Sequence, residues 1–114
     1  MHELGIASAV LEAVRQEAQK RAGARVTKIG LRLGDMAGVD RDALSFSFEV
    51  LVKDTEFEQL TLEIQSCPLA YRCRACSATF NVSDYLTFCP HCGTSDTECV
   101  SGTELEVAYM EIEE

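Results

Sequence analysis

Apolar positions in this chain recur with two periods, one near four residues and one of two. Between residues 4 and 22, Leu4, Ala7, Leu11, Val14 and Ala18 fall at helical spacing, and Ile6, Val10 and Ala22 widen the stripe. Glu12, Arg15, Gln16, Gln19 and Lys20 lie largely opposite. This predicts an amphipathic helix that stops at Gly23. From 25 to 33 the period drops to two, with Thr27, Ile29, Leu31 and Leu33 on one side and Lys28, Gly30 and Arg32 on the other. That alternation predicts a strand, followed by a loop from Gly34 to Gly38. A second helix is predicted over 41–53, capped by Asp40, with Leu44, Phe48, Leu51 and Val52 as its apolar face. The run Phe46 to Val52 can also be read as a strand, and Phe46 and Phe48 both read as core.

Residues 60–66 alternate again, Leu60, Leu62 and Ile64 against Thr61, Glu63 and Gln65, and predict a second strand. A third is expected over 104–112, where Leu105 and Val107 alternate with Glu104 and Glu106. The last twelve residues hold five glutamates and no basic residue, as suits the wet face of an edge strand guarded against further pairing. The expected class is therefore α+β: two helices packed on a small three-stranded sheet, with a four-cysteine zinc-ribbon module inserted between the second and third strands. The expected domains are 1–66 with 102–114, a helix–sheet domain, and 67–101, a zinc-binding domain.

The cysteines give the inserted module its chemistry. Cys73-Arg74-Ala75-Cys76 is followed after twelve residues by Cys89-Pro90-His91-Cys92-Gly93. Each pair places two thiolates on one tight turn, and two facing turns make a tetrahedron of sulfur. Zn²⁺ suits it, being a thiolate-accepting ion with no d-electron preference against that geometry. No export signal or apolar run of membrane-spanning length is visible, so the expected setting is a reducing cytoplasm, where such pairs bind metal rather than form disulfides. His91 reads as an exposed turn residue, because four thiolates already complete the shell. Cys67 and Cys99 read as small buried apolar residues.

With 46% hydrophobic and 25% charged residues, the composition is that of a globular protein. A net charge of −9 argues against a nucleic-acid partner, which needs a basic surface. Arg72 and Arg74 make no local exception, facing Asp84, Asp96 and Glu98 within the same module.

The N-terminus offers a second donor set. The amine of Met1, the main-chain nitrogens of His2 and Glu3, and the His2 imidazole lie within one short stretch. With the amides deprotonated they can surround a metal in a plane, a geometry that suits Ni(II) or Cu(II). Glu3 could instead bind through its carboxylate or hydrogen-bond the imidazole. The bland alternative is an exposed terminal histidine.

Met1-His2-Glu3-Leu4 opening a helix, Leu33-Gly34-Asp35-Met36-Ala37-Gly38-Val39, Phe46-Ser47-Phe48-Glu49, the double CxxC and Val100-Ser101-Gly102-Thr103-Glu104-Leu105 occur here in the order found in one family. Over essentially its whole length the chain resembles the HypA/HybF family of hydrogenase nickel-incorporation accessory proteins. It departs at Gly5, where many members have Ser. The resemblance implies a cytoplasmic metallochaperone, not an enzyme. It would carry Ni²⁺ to the large subunit of a nickel–iron hydrogenase, working with a nickel-handling GTPase, and some members also supply urease. It implies nickel on the His2 side chain with main-chain nitrogens of Met1 and Glu3, and structural zinc on Cys73, Cys76, Cys89 and Cys92. A monomer or weak homodimer is expected, with no nucleic-acid or membrane partner. The competing reading is a zinc-ribbon adaptor that binds proteins and has no nickel role.

Overall fold

A computed structural model describes residues 3–83 and 86–114. The elements run α1 (Glu3–Lys20), β1 (Arg25–Gly34), α2 (Arg41–Val52), β2 (Thr61–Cys67), β3 (Ala70–Cys73), β4 (Thr79–Asn81), β5 (Thr97–Ser101) and β6 (Leu105–Glu113). No helix among the described residues is long and apolar enough to cross a membrane.

Both helices follow from their patterns. α1 buries Ala7, Val10, Leu11 and Val14 and ends two residues short of the expected 22, the chain turning through Arg21–Gly23. Leu4, at the head of the expected stripe, is exposed. α2 starts where a cap satisfies its open amides, the Asp40 Oδ1 accepting from the Ala43 N–H at 3.0 Å. Leu44, Phe48 and Val52, spaced by four, are buried, and α2 packs on α1. That cap and spacing decide the Phe46–Val52 ambiguity for helix. They also correct one expectation, since Phe48 is 2% exposed but Phe46 is 67% exposed and no part of the core.

The first sheet has the order β2-β1-β6, with β1 central and Ile29 and Leu31 fully buried. β6 runs antiparallel to β1, as the flanking pairs Arg25–Glu113 and Arg32–Glu106 require, both at 3.3 Å. Glu106, Glu111 and Glu113 are all exposed, but Glu106 differs in parity from the other two, so the acids of β6 divide between its two faces instead of sharing the one wet face expected. Gly30 is buried because the Tyr109 ring lies across it, and a Cβ there would run into the ring. The Tyr109 hydroxyl then donates to Glu63 Oε1 at 2.7 Å, while Lys28 Nζ stands 2.9 Å from Glu63 Oε2.

These contacts hold the Glu63 carboxyl at about 2, chiefly through the hydrogen bond from Lys28 and then that from Tyr109. Because the folded value is depressed, the associated stability is present above the ordinary carboxylate pKa and lost as pH falls toward about 2. Glu63→Gln should therefore destabilise the helix–sheet unit at neutral pH, and the gap from the parent should narrow as pH falls from about 5 toward 2, read from urea midpoints. A gap unchanged across that range would show that Glu63 contributes no ionic stabilisation.

The inserted cysteine module carries its own three-stranded antiparallel sheet, order β4-β3-β5. Tyr71 at its centre faces Phe80 on one neighbour and Cys99 on the other. The chain divides into two compact units, Met1–Arg32 with Gly38–Gln65 and Glu106–Glu114, and Leu33–Ala37 with Ser66–Leu105. The loop 33–37 groups with the cysteine module through backbone bonds: Gly34 N–H to Glu104 O at 2.7 Å, Asp35 N–H to Cys67 O at 2.9 Å and Met36 N–H to Gly102 O at 2.7 Å. Gly34 and Gly102 meet back to back, and a Cβ on Gly34 would strike the Gly102 backbone. Two of the segments that carry the family resemblance thus meet at one point in space.

Candidate metal centre

Two tight turns build the centre. β3 delivers Cys73, and the chain reverses at once: Ser77 N–H bonds Cys73 O at 3.0 Å and Cys73 N–H bonds Ala78 O at 2.8 Å. The second turn repeats the arrangement, with Gly93 N–H to Cys89 O and Cys89 N–H to Thr94 O, both at 2.9 Å. Within each turn a backbone amide also points at the first sulfur. Cys76 N–H lies 3.4 Å from Cys73 Sγ, and His91 N–H lies 3.4 Å from Cys89 Sγ. Such donors stabilise thiolate.

The four sulfurs lie within 4.8 Å of one another, with Cys73 to Cys92 at 3.5 Å and Cys76 to Cys89 at 3.6 Å. A disulfide needs about 2.05 Å, so none is formed. A zinc ion about 2.3 Å from each sulfur sets the edge of the tetrahedron near 3.8 Å, close to the spacings found. One member of each pair, Cys73 and Cys89, is buried, and the other, Cys76 and Cys92, is exposed.

The electrostatics fit a cation. Cys89 is held down to about 6, first by the backbone N–H of Cys92, and Cys73 is also lowered, first by the backbone N–H of Cys76. At Cys92 the Thr94 N–H lowers the pKa, but contact with Cys73, burial and contact with Cys89 outweigh it and push the thiol up to about 12. Cys76 is raised by the same balance, its Ala78 N–H overcome by Cys73 and Cys89. Two thiolates suppress ionisation of the other two, and a doubly charged cation removes that penalty. Four thiolates close the shell, leaving no position for a reacting molecule.

The sequence indicated these four cysteines, and the structure brings them together. His91 is exposed and takes part through its main chain, as a turn residue does. Cys67 and Cys99 stand outside the group of four and neither is buried, contrary to expectation; Cys99 is exposed, its Sγ bonded to Ser101 O at 3.3 Å. Arg74, set against Asp96 and Glu98 in the sequence, bonds Asp96 at 3.0 Å and stands 3.6 Å from Glu98, tying the first turn to the segment after the second. Of the expected N-terminal set, Glu3 opens α1, and Met1 and His2 lie outside the described residues.

A family model described as "Hydrogenase/urease nickel incorporation, metallochaperone, hypA" matches residues 1–112. The chain is 42% identical over 115 residues to the hydrogenase maturation factor HypA of Roseiflexus sp. (strain RS-1), covering all of this chain and 94% of that one. It is 40% identical over 113 residues to the factor of the same name from Geotalea uraniireducens (strain Rf4), covering 99% of this chain and all of that one. Two solved structures share the fold. The solution structure of a HypA protein superposes with a TM-score of 0.71 at 21% identity, covering 97% of this chain and 95% of that one. The solution structure of the Ni metallochaperone HypA from Helicobacter pylori gives 0.64 at 18% identity, covering 97% of both.

Proposed function

The chain belongs to the HypA family of hydrogenase nickel-incorporation metallochaperones, and from that premise we propose that it binds Ni²⁺ at its N-terminus and hands it on during maturation of a nickel–iron hydrogenase. It is a maturation factor, not an enzyme. The observation that carries the reading is the match of the family model along residues 1–112, from the Met-His-Glu start through the double CxxC. We assign zinc to Cys73, Cys76, Cys89 and Cys92 as the staple of a zinc-binding domain, and nickel to His2, Met1 and Glu3 in the helix–sheet domain. The receivers in this reading are a nickel-handling GTPase and the hydrogenase large subunit, with urease served by the same cargo, all in the cytoplasm.

A carrier must hold nickel yet let it go. A terminal site suits that task, since few tertiary contacts fix its ligands. Copper outranks nickel at nitrogen donors, so selectivity must come partly from protein-to-protein delivery. An ordinary terminal amine and imidazole hold protons with pKa values of about 7.7–8.0 and about 6.5, and protons compete with metal for both. Nickel binding to the zinc-loaded protein, followed by titration calorimetry, should weaken steeply from about pH 7.5 to about pH 6. A flat profile would count against amine and imidazole ligands. Nickel-loaded protein should also activate a nickel-free large subunit in the presence of a competing chelator, where the same nickel supplied free does not.

A further inference from the structure

On α2 the residues left outside the core form a second stripe. Asp42, Phe46, Glu49, Val50 and Lys53 follow one another at helical spacing on the side away from Leu44, Phe48 and Val52. Phe46 is 67% exposed and Val50 53% exposed, one turn apart. A lone exposed apolar residue needs no explanation, but an exposed Phe and Val on one helix face, beside a groove, do.

The groove runs along the flank of α2 and holds about 480 Å³. Phe48, Val52, Leu60 and Leu62 give it apolar walls, and Glu49 and Glu58 stand among its lining residues. The Glu49 side chain makes no hydrogen bond or ion pair among the described residues. Asp42, Glu49 and Glu58 outnumber the one lysine there, Lys53, in a chain of net charge −9.

We propose that this face of α2 and its groove dock a short segment of a partner protein that is apolar on the docked side and basic at its margins. Phe46 and Val50 supply the apolar contact, the groove admits one side chain of the segment, and Glu49 and Asp42 select for lysine or arginine at its edges. The patch is small beside a stable interface, which fits an encounter that must dissociate. The proposal stands apart from where nickel binds.

Two synthetic amphipathic peptides sharing one leucine face, one flanked by arginines and one by glutamates, test it against the full-length, zinc-loaded protein by NMR titration. The arginine peptide should shift the resonances of Phe46, Glu49, Val50 and Leu62, and added salt should weaken it. The glutamate peptide should leave them unchanged. Phe46→Ser, which touches no core position, should weaken binding about tenfold, and Val50→Ser should weaken it in the same direction. Glu49→Gln should reduce the preference for arginine. Equal binding of both peptides, or binding that Phe46→Ser and Val50→Ser leave intact, would overturn the proposal. So would self-association of the parent, seen by sedimentation and abolished by Phe46→Ser, since the face would then belong to a second copy of this chain.

Discussion

Changing His2 to alanine should lower the affinity for Ni²⁺ at about pH 7.5 by about a hundredfold or more. The proposed donor set contains one side chain and otherwise only terminal amine and main-chain nitrogens, so His2→Ala removes the one ligand that sequence can change. It also removes the chelate ring that lets the neighbouring amides give up their protons. One extra residue ahead of Met1 should cost as much by a different route. It turns the amine into an amide and moves the true terminus away from the imidazole, while leaving the composition of the site intact. Glu3→Gln separates the two readings of Glu3: a main-chain nitrogen survives the change, and a carboxylate ligand does not. Among the described residues core burial begins at Ala7, so none of these changes should disturb the fold or the zinc content. Calorimetric titration of the parent and the three variants reads the result directly. Equal affinity in the parent, His2→Ala and the extended protein would move nickel elsewhere on the chain and leave the adaptor reading in its place.

Much of the helix–sheet unit was legible because its periodicities are local. Asp40 announces α2, and Leu44, Phe48 and Val52 set its buried side at four-residue spacing. Phe46 was misread for a specific reason. Two positions from Phe48, it shares a face with it on a strand, but on a helix it lies about 200° around the axis. Once the cap had fixed α2 as helix, Phe46 had to face outward. The four cysteines were legible from spacing alone, as metal turns usually are. The three short strands between and around them were not, since β4 has only three residues and its register comes from pairing with β3 rather than from an alternation of its own. The joining of Leu33–Ala37 to Gly102–Glu104 was equally hidden. It rests on backbone bonds between segments some seventy residues apart, and only the bare glycines at 34 and 102 hint at it. The Glu63–Lys28–Tyr109 group likewise comes from three strands and leaves no local pattern.

Changing Cys92 to alanine should release zinc and unfold the cysteine module while the helix–sheet unit stays folded, and Cys73→Ala should do the same. The distribution of buried side chains gives the reason. Ala7, Val10, Leu11, Val14, Val26, Ile29, Leu31, Leu44, Phe48, Val52, Phe57, Leu60 and Ile64 are buried in the first unit, against Leu33, Ala70, Cys73 and Cys89 in the second. Among the described residues, half of the second unit's buried apolar residues are thus themselves proposed ligands. A module of this size with so little core cannot offset its chain entropy by burial. Apparent zinc-binding energies of about 10–16 kcal/mol in small four-ligand sites are large enough to do so. The two variants separate the metal from packing. Cys73 is fully buried, so its truncation removes core volume as well as a ligand, whereas Cys92 is exposed and its truncation removes a ligand alone. If zinc is the staple, the two variants should be equally severe. If packing is, Cys92→Ala should be mild. Zinc release to a chromophoric chelator, together with NMR dispersion of resonances from the two units, distinguishes these cases. Retained zinc and an ordered β3–β5 pair in Cys92→Ala would rule out the staple. Loss of dispersion in both units together would show that the helix–sheet core does not stand by itself.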